Sequence, residues 1–205
     1  MEALFREHKI CAIFRGIPKN IFLPYAKALY DGGIRLFEVS MTDPDAEKEI
    51  TWLKEELQKD AVIGAGTIID REAFFRAESV QAAFYLSPSA DTEILELCQK
   101  KERKLIPGVL TPSDISKCIH FGFYVLKLFP VSEVTDGYVH QLKGPFPEVE
   151  FIAVGGVRLA NIKNKINAGY IGVGIGNGMI RENLIKEKQW GMVTESVKEA
   201  LCLFK

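Results

Sequence analysis

Lys127 lies inside the run Tyr124-Val125-Leu126-Lys127-Leu128-Phe129-Pro130, the one charged side chain in an uncharged, strand-like stretch. Desolvation disfavours an ammonium ion, so an amine held in such a strand has its pKa lowered, and an unprotonated amine can attack a carbonyl carbon. The chemistry this suggests is Schiff-base formation. The competing reading is a lysine whose stem is buried while its head snorkels to water. Glu38, in Leu36-Phe37-Glu38-Val39-Ser40, is its natural counterpart. Strand alternation puts Leu36, Glu38 and Ser40 on one face, and Val125, Lys127 and Phe129 on one face of theirs. Where both faces look onto one cavity, Glu38 is a general acid/base beside a nucleophile; the alternative is a structural interior ion pair.

Other polar groups fall at strand ends. Arg15 closes a run after Ala12-Ile13-Phe14, where it could clamp a carboxylate or phosphate or form a surface salt bridge. Thr67 ends Gly64-Ala65-Gly66-Thr67, an unremarkable place for threonine when taken alone. The last two runs end in glycine, as Val154-Gly155-Gly156-Val157 and Gly174-Ile175-Gly176-Asn177-Gly178, and their backbone N–H groups could cradle a phosphate. Ser87-Pro88-Ser89 and Pro107-Gly108 read first as turns that shape the mouth of a site. His8, His120 and His140 fall in or near helical or terminal segments, so none is assigned to catalysis, and no Asp/Glu/His cluster calls for a metal.

These residues need a scaffold that brings strand ends together. Apolar runs recur as Ile10–Arg15, Arg35–Ser40, Ala61–Thr67, Ala82–Ser87, Lys104–Leu110, Tyr124–Pro130, Phe151–Val157 and Tyr170–Asn177. Between them lie helical patterns such as Ile21–Asp31, Ala46–Lys59, Arg71–Val80, Thr92–Lys101 and Pro112–Phe121. Eight strand–helix units imply right-handed crossovers and a parallel eight-stranded sheet closed into a (β/α)8 TIM barrel; an open doubly wound sheet is the alternative. Glycines follow three of the helices, at Gly32-Gly33, Gly122 and Gly169, while Thr111-Pro112-Ser113-Asp114 reads as an N-cap followed by proline. With no linker or low-complexity tract, residues 1–205 are expected to form one domain.

Composition narrows the partners. The 26 Lys+Arg against 27 Asp+Glu leave a formal charge of −1, which argues against nucleic acid and against an anionic membrane surface. No segment is apolar enough to span a bilayer or resembles a signal peptide, so a soluble cytoplasmic protein is expected. Cys11, Cys98, Cys118 and Cys202 are widely spaced and read as reduced core thiols.

The chain resembles the bacterial class I aldolases for 2-keto-3-deoxy-6-phosphogluconate and 4-hydroxy-2-oxoglutarate. The resemblance rests on Gly33–Ser40, Gly64–Thr67, Ser87-Pro88, Ile106–Val109, Leu126-Lys127-Leu128-Phe129-Pro130, Lys143-Gly144-Pro145-Phe146-Pro147 and Gly155-Gly156-Val157, in the family's order. It implies a barrel that is usually a homotrimer and that cleaves a 2-keto-4-hydroxy acid to pyruvate and an aldehyde, with neither metal nor cofactor. The aldehyde would be glyceraldehyde 3-phosphate or glyoxylate. Lys127 would form the Schiff base and Glu38 would shuttle protons. Arg15 and Thr67 would contact the keto-acid part, with Gly155, Gly156, Gly176 and Asn177 at the distal end and Pro88 also among the substrate-binding residues. The chain departs from the family where Thr42 replaces an arginine, Val154 a threonine and Asn177 a residue that is often serine. Two other readings keep the scaffold: a sugar-phosphate isomerase or epimerase with Glu38 as base, or a non-catalytic small-molecule-binding barrel.

Overall fold

A computed structural model describes residues 1–202. The expected domain runs to residue 205, and its last three positions lie outside the described residues. The chain alternates strands β1 (Ile10–Phe14), β2 (Leu36–Ser40), β3 (Val62–Gly66), β4 (Tyr85–Leu86), β5 (Leu105–Ile106), β6 (Gly108–Val109), β7 (Val125–Leu128), β8 (Glu150–Val154) and β9 (Gly172–Ile175) with helices. The helices are α1 (Glu2–His8), α2 (Lys19–Gly32), α3 (Ala46–Glu56), α4 (Arg71–Ser79), α5 (Thr92–Lys100), α6 (Pro112–His120), α7 (Tyr138–Lys143), α8 (Ile162–Asn167), α9 (Glu182–Lys186) and α10 (Trp190–Cys202). All strand pairs are parallel, in the order β5-β4-β3-β2-β1-β9-β8-β7-β6.

The sheet is nearly closed, because its first and last strands pair, with Cys11 beside Gly174. Its one interruption falls at Pro107. The sequence suggested a single strand over Lys104–Leu110; the structure divides it into β5, which pairs with β4, and β6, which pairs with β7. Proline has no N–H to donate to a ladder. Its carbonyl still accepts the Lys127 N–H at 2.9 Å, so the strand that carries the amine stays in register through the break.

Strand alternation sorts the side chains into two apolar layers. Cys11, Leu36, Phe84, Leu86, Ile106 and Ile152 face the interior of the sheet, whereas Ala12, Phe37, Val39, Ile63, Leu126, Phe151 and Val173 pack against the surrounding helices. Strands such as β2 are therefore buried along their whole length, as expected of a parallel sheet covered on both faces. Phe5 of α1, fully buried, plugs the end of the interior where the strands begin, and a Cβ on Gly172 would lie only 2.6 Å from it. Burial of that ring contributes about 1.5–3 kcal/mol.

Helices α4, α5 and α6 start at side-chain caps. Thr111 and Asp114 form a reciprocal capping box with Pro112 in the first turn of α6, as the sequence suggested, and Asp70 and Asp91 accept the N–H of Ala73 and Ile94 at α4 and α5. The cysteine reading needs one correction. Cys11, Cys98 and Cys118 are buried thiols, but Cys202, on the last described residue of α10, is exposed. No helix among the described residues is long and apolar enough to cross a membrane.

Candidate active site

The carboxyl ends of the strands surround a cavity of about 420 Å³ lined by Arg15, Glu38, Lys127, Phe129, Arg158 and the glycine-rich ends of β8 and β9. Glu38 from β2 and Lys127 from β7 are both interior, with 1% and 4% of their surfaces exposed. Snorkelling therefore does not describe Lys127. Its Nζ lies 4.7 Å from the centre of the Phe129 ring, two residues further along the same face. No direct ion pair joins it to Glu38 among the described residues.

Two backbone features make room for Glu38. Gly66 stands beside Ser40 in the neighbouring strand, and a Cβ there would fall 1.5 Å from Glu38 Oε1, so the carboxylate occupies the volume that a side chain would need. Gly64, one interior position earlier, is likewise filled by the ring of Phe84. The second carboxylate oxygen, Oε2, is buried without a hydrogen-bond partner. An unsatisfied buried acceptor costs about 1–3 kcal/mol, and a ligand hydroxyl donated to it would recover part of that.

Burial sets the protonation of the pair. Desolvation raises the Glu38 carboxyl above its ordinary pKa, opposed by the positive charges of Lys127 and Arg15. Desolvation lowers the Lys127 amine, opposed by Glu38 and reinforced by Arg15. Both shifts run in the direction of the neutral form. Cys11 lies on the same interior face, and burial holds its thiol well above the ordinary range, so it stays uncharged there.

Arg15 donates to Thr67 Oγ1 at 2.8 Å, and Thr67 itself is not among the cavity-lining residues. Thr67 also accepts from Ser40 at 3.0 Å, and Ser40 shares a 2.8 Å hydrogen bond with Thr42. Thr67 has φ of +57°, a left-handed conformation costly for a β-branched residue, which a neighbouring network must sustain. Thus Thr42 joins a hydroxyl chain that ends on the Arg15 guanidinium.

Gly155, Gly156, Gly176 and Asn177 all line the cavity. The close packing of the first two has a reason beyond an anion cradle: a Cβ on Gly155 would press on Pro130, and one on Gly156 would come within 2.7 Å of Ser132 Cβ. The loop after β8 is thereby seated against the segment that follows Lys127. Pro88 is not among the cavity-lining residues; its backbone packs against Gly108 at the end of β4. The motif Lys143–Pro147 lies elsewhere, with Lys143 paired to Glu150 at 2.8 Å. Sequence reasoning passed over Phe129 and Arg158 as site residues. The first was signalled by its two-residue spacing from Lys127, the second by its place just after a strand-end Gly-Gly-Val. No group of three or more His, Cys, Asp or Glu side chains suited to a metal occurs among the described residues.

A parallel barrel-like sheet with a buried amine and a buried acid at its carboxyl end is a class of site that could form an imine with a carbonyl substrate. Comparison with known proteins narrows the class. A model of the KDPG and KHG aldolase family, where KDPG is 2-keto-3-deoxy-6-phosphogluconate, matches residues 1–196, and the chain belongs to that family. It is accordingly a carbon–carbon lyase. It is 30% identical over 203 residues to a 2-dehydro-3-deoxy-phosphogluconate aldolase of Pseudomonas aeruginosa, covering 98% of this chain and 91% of that one. It is 28% identical over 173 residues to a 2-dehydro-3-deoxy-6-phosphogalactonate aldolase of Escherichia coli, covering 84% of each. Among solved structures, a KDPG aldolase of Legionella pneumophila with pyruvate captured as a covalent carbinolamine superposes with a TM-score of 0.88 at 30% identity, covering 97% of each chain.

Proposed function

We propose that the chain cleaves a 2-keto-4-hydroxy acid, such as 2-keto-3-deoxy-6-phosphogluconate or 4-hydroxy-2-oxoglutarate, reversibly to pyruvate and an aldehyde, with Lys127 as nucleophile and Glu38 as proton shuttle. The single observation that carries the reading is the buried Lys127 amine facing the same cavity as the partnerless Glu38 oxygen. The free amine adds to the C2 carbonyl to give a carbinolamine, and the proton on Glu38 leaves with the departing hydroxyl as water. The resulting protonated imine is the electron sink. Glu38, now ionised, takes the proton of the C4 hydroxyl; the C3–C4 bond breaks, its electron pair forming an enamine on Lys127 as the aldehyde departs. Protonation at C3 and hydrolysis of the imine release pyruvate and restore the amine.

Arg15, which lines the cavity, binds the keto-acid carboxylate in this scheme, with Thr67 assisting through their 2.8 Å bond. Gly155, Gly156, Gly176 and Asn177 hold the aldehyde half, and Pro88 shapes the rim. The scaffold is read as one domain over residues 1–205, an eight-stranded closed (β/α)8 barrel in which β5 and β6 are halves of one strand. It acts in the cytoplasm as a homotrimer, without a cofactor.

A panel of 2-keto-4-hydroxy acids coupled to pyruvate detection tests the activity. At least one member should release pyruvate, and Lys127→Arg should reduce that turnover by at least about 1,000-fold, since a guanidinium cannot form the imine. Appreciable turnover by the variant would instead indicate proton-transfer chemistry of the isomerase kind, and ligand-induced stabilisation with no pyruvate from any substrate would indicate a binding barrel.

A further inference from the structure

The loop that leaves β8 turns sharply through Gly155 and Gly156, with φ of +92° and +73°, then drops the buried side chain of Val157 into the core. The next residue, Arg158, is returned to the cavity wall. Asn161 pins that turn at two points: its Oδ1 accepts the Arg158 N–H at 2.9 Å and its Nδ2 donates to the Gly156 carbonyl at 3.4 Å. Across the loop, Gly178 leaves a slot for the arginine stem, because a Cβ there would lie 2.9 Å from Arg158 Cγ.

Arg158 is an exposed residue of that wall. Arg6, Arg35, Arg71, Arg76 and Arg103 pair with carboxylates, whereas among the described residues Arg158 has no such partner. Arg15, the other arginine of the cavity, is drawn by its bond to Thr67 toward the β2–β3 side of the mouth. Arg158 belongs to the β8–β9 side, beside the glycine loops. The site therefore offers two separate guanidinium groups, and a substrate whose keto-acid carboxylate takes the first leaves the second for an anion on its other half.

Resting on the aldolase reading, we propose that Arg158 is a specificity-determining residue that selects substrates whose aldehyde half ends in an oxyanion, either a phosphate or a carboxylate. A planar guanidinium matches both by paired N–H donors. The test is condensation of pyruvate with glyceraldehyde 3-phosphate, glyoxylate and uncharged glyceraldehyde by the wild type, Arg158→Ala and Arg158→Lys. Arg158→Ala should lose about 10–100-fold more kcat/KM on a charged aldehyde than on glyceraldehyde, chiefly through KM, as loss of a charge-assisted hydrogen bond requires. Arg158→Lys should restore part of the difference. A selective loss on glyceraldehyde 3-phosphate assigns a phosphate, and one on glyoxylate a carboxylate. Equal losses on charged and neutral aldehydes, or no loss, would overturn the proposal. Failure of the wild type to form a reducible imine with pyruvate would overturn the aldolase reading itself, and the inference with it.

Discussion

Glu38 can hold its carboxylate within the sheet only because Gly66, beside Ser40 in the register of β2 and β3, leaves the volume for it. Replacement of Gly66 by Ala should push the carboxylate aside and lower kcat by about 100-fold, the scale at which an ångström of misplacement operates. The Lys127 imine with pyruvate should still be trapped in that variant, and the shorter side chain of Glu38→Asp added to it should recover part of the turnover. Loss of imine trapping along with turnover would mean a collapsed site rather than a displaced acid. Lys127 and Glu38 were legible in the sequence because a charge inside an apolar strand is costly without a reason. Gly66 was legible only as part of a motif, since the volume it yields to Glu38 exists only once β2 and β3 pair. Arg158 resembled any loop arginine until the turn at Gly155-Gly156 carried it back over the cavity.

Among the elements, α3 carries a second buried acid, Glu49, whose Oε2 has no hydrogen-bond partner. Burial, with the nearby charges of Asp43 and Asp45, pushes its carboxyl from 4.5 up to about 7. Asp43 in turn accepts the Gly16 N–H at 2.9 Å, tying the loop after β2 to the loop after β1 beside Arg15. The folded state therefore holds a proton on Glu49 that the unfolded chain releases near its ordinary pKa. Its stabilising contribution is complete below about pH 4.5 and is lost as pH rises through about 7. Glu49→Gln, which does not titrate, should gain on the wild type with rising pH, reaching about 2–4 °C in Tm above neutrality if about 1 kcal/mol is relieved. A difference that stays flat from acid to alkaline pH in thermal melts would contradict this. Two-residue alternation and the helix caps made most elements readable in advance. The division at Pro107 was hidden because the run Lys104–Leu110 reads as one strand until hydrogen-bond partners are assigned. The plug formed by α1 was hidden because its one fully buried ring, Phe5, is outnumbered by charges in the same short helix.

At the scale of the whole molecule, the near-closed sheet gathers groups from β1, β2, β7 and the β8 loop at one rim. The order of strands around that rim follows the order of the chain, which is why the phase of the apolar runs sufficed to place Lys127 and Glu38 together. The proposed homotrimer draws support from Ile69 and Phe75, large apolar side chains left 50% and 44% exposed at and just before α4. Sedimentation should give the mass of three 23.0 kDa chains, and Phe75→Glu should shift it toward one; a wild-type monomer at micromolar concentration would refute the assembly. The chemistry itself is tested most directly by reducing the protein with borohydride in the presence of pyruvate and mapping the modified peptide by mass spectrometry. The expected result is one reduced pyruvyl adduct on Lys127, absent without pyruvate. An unmodified Lys127, or an adduct confined to other lysines, would contradict the imine mechanism.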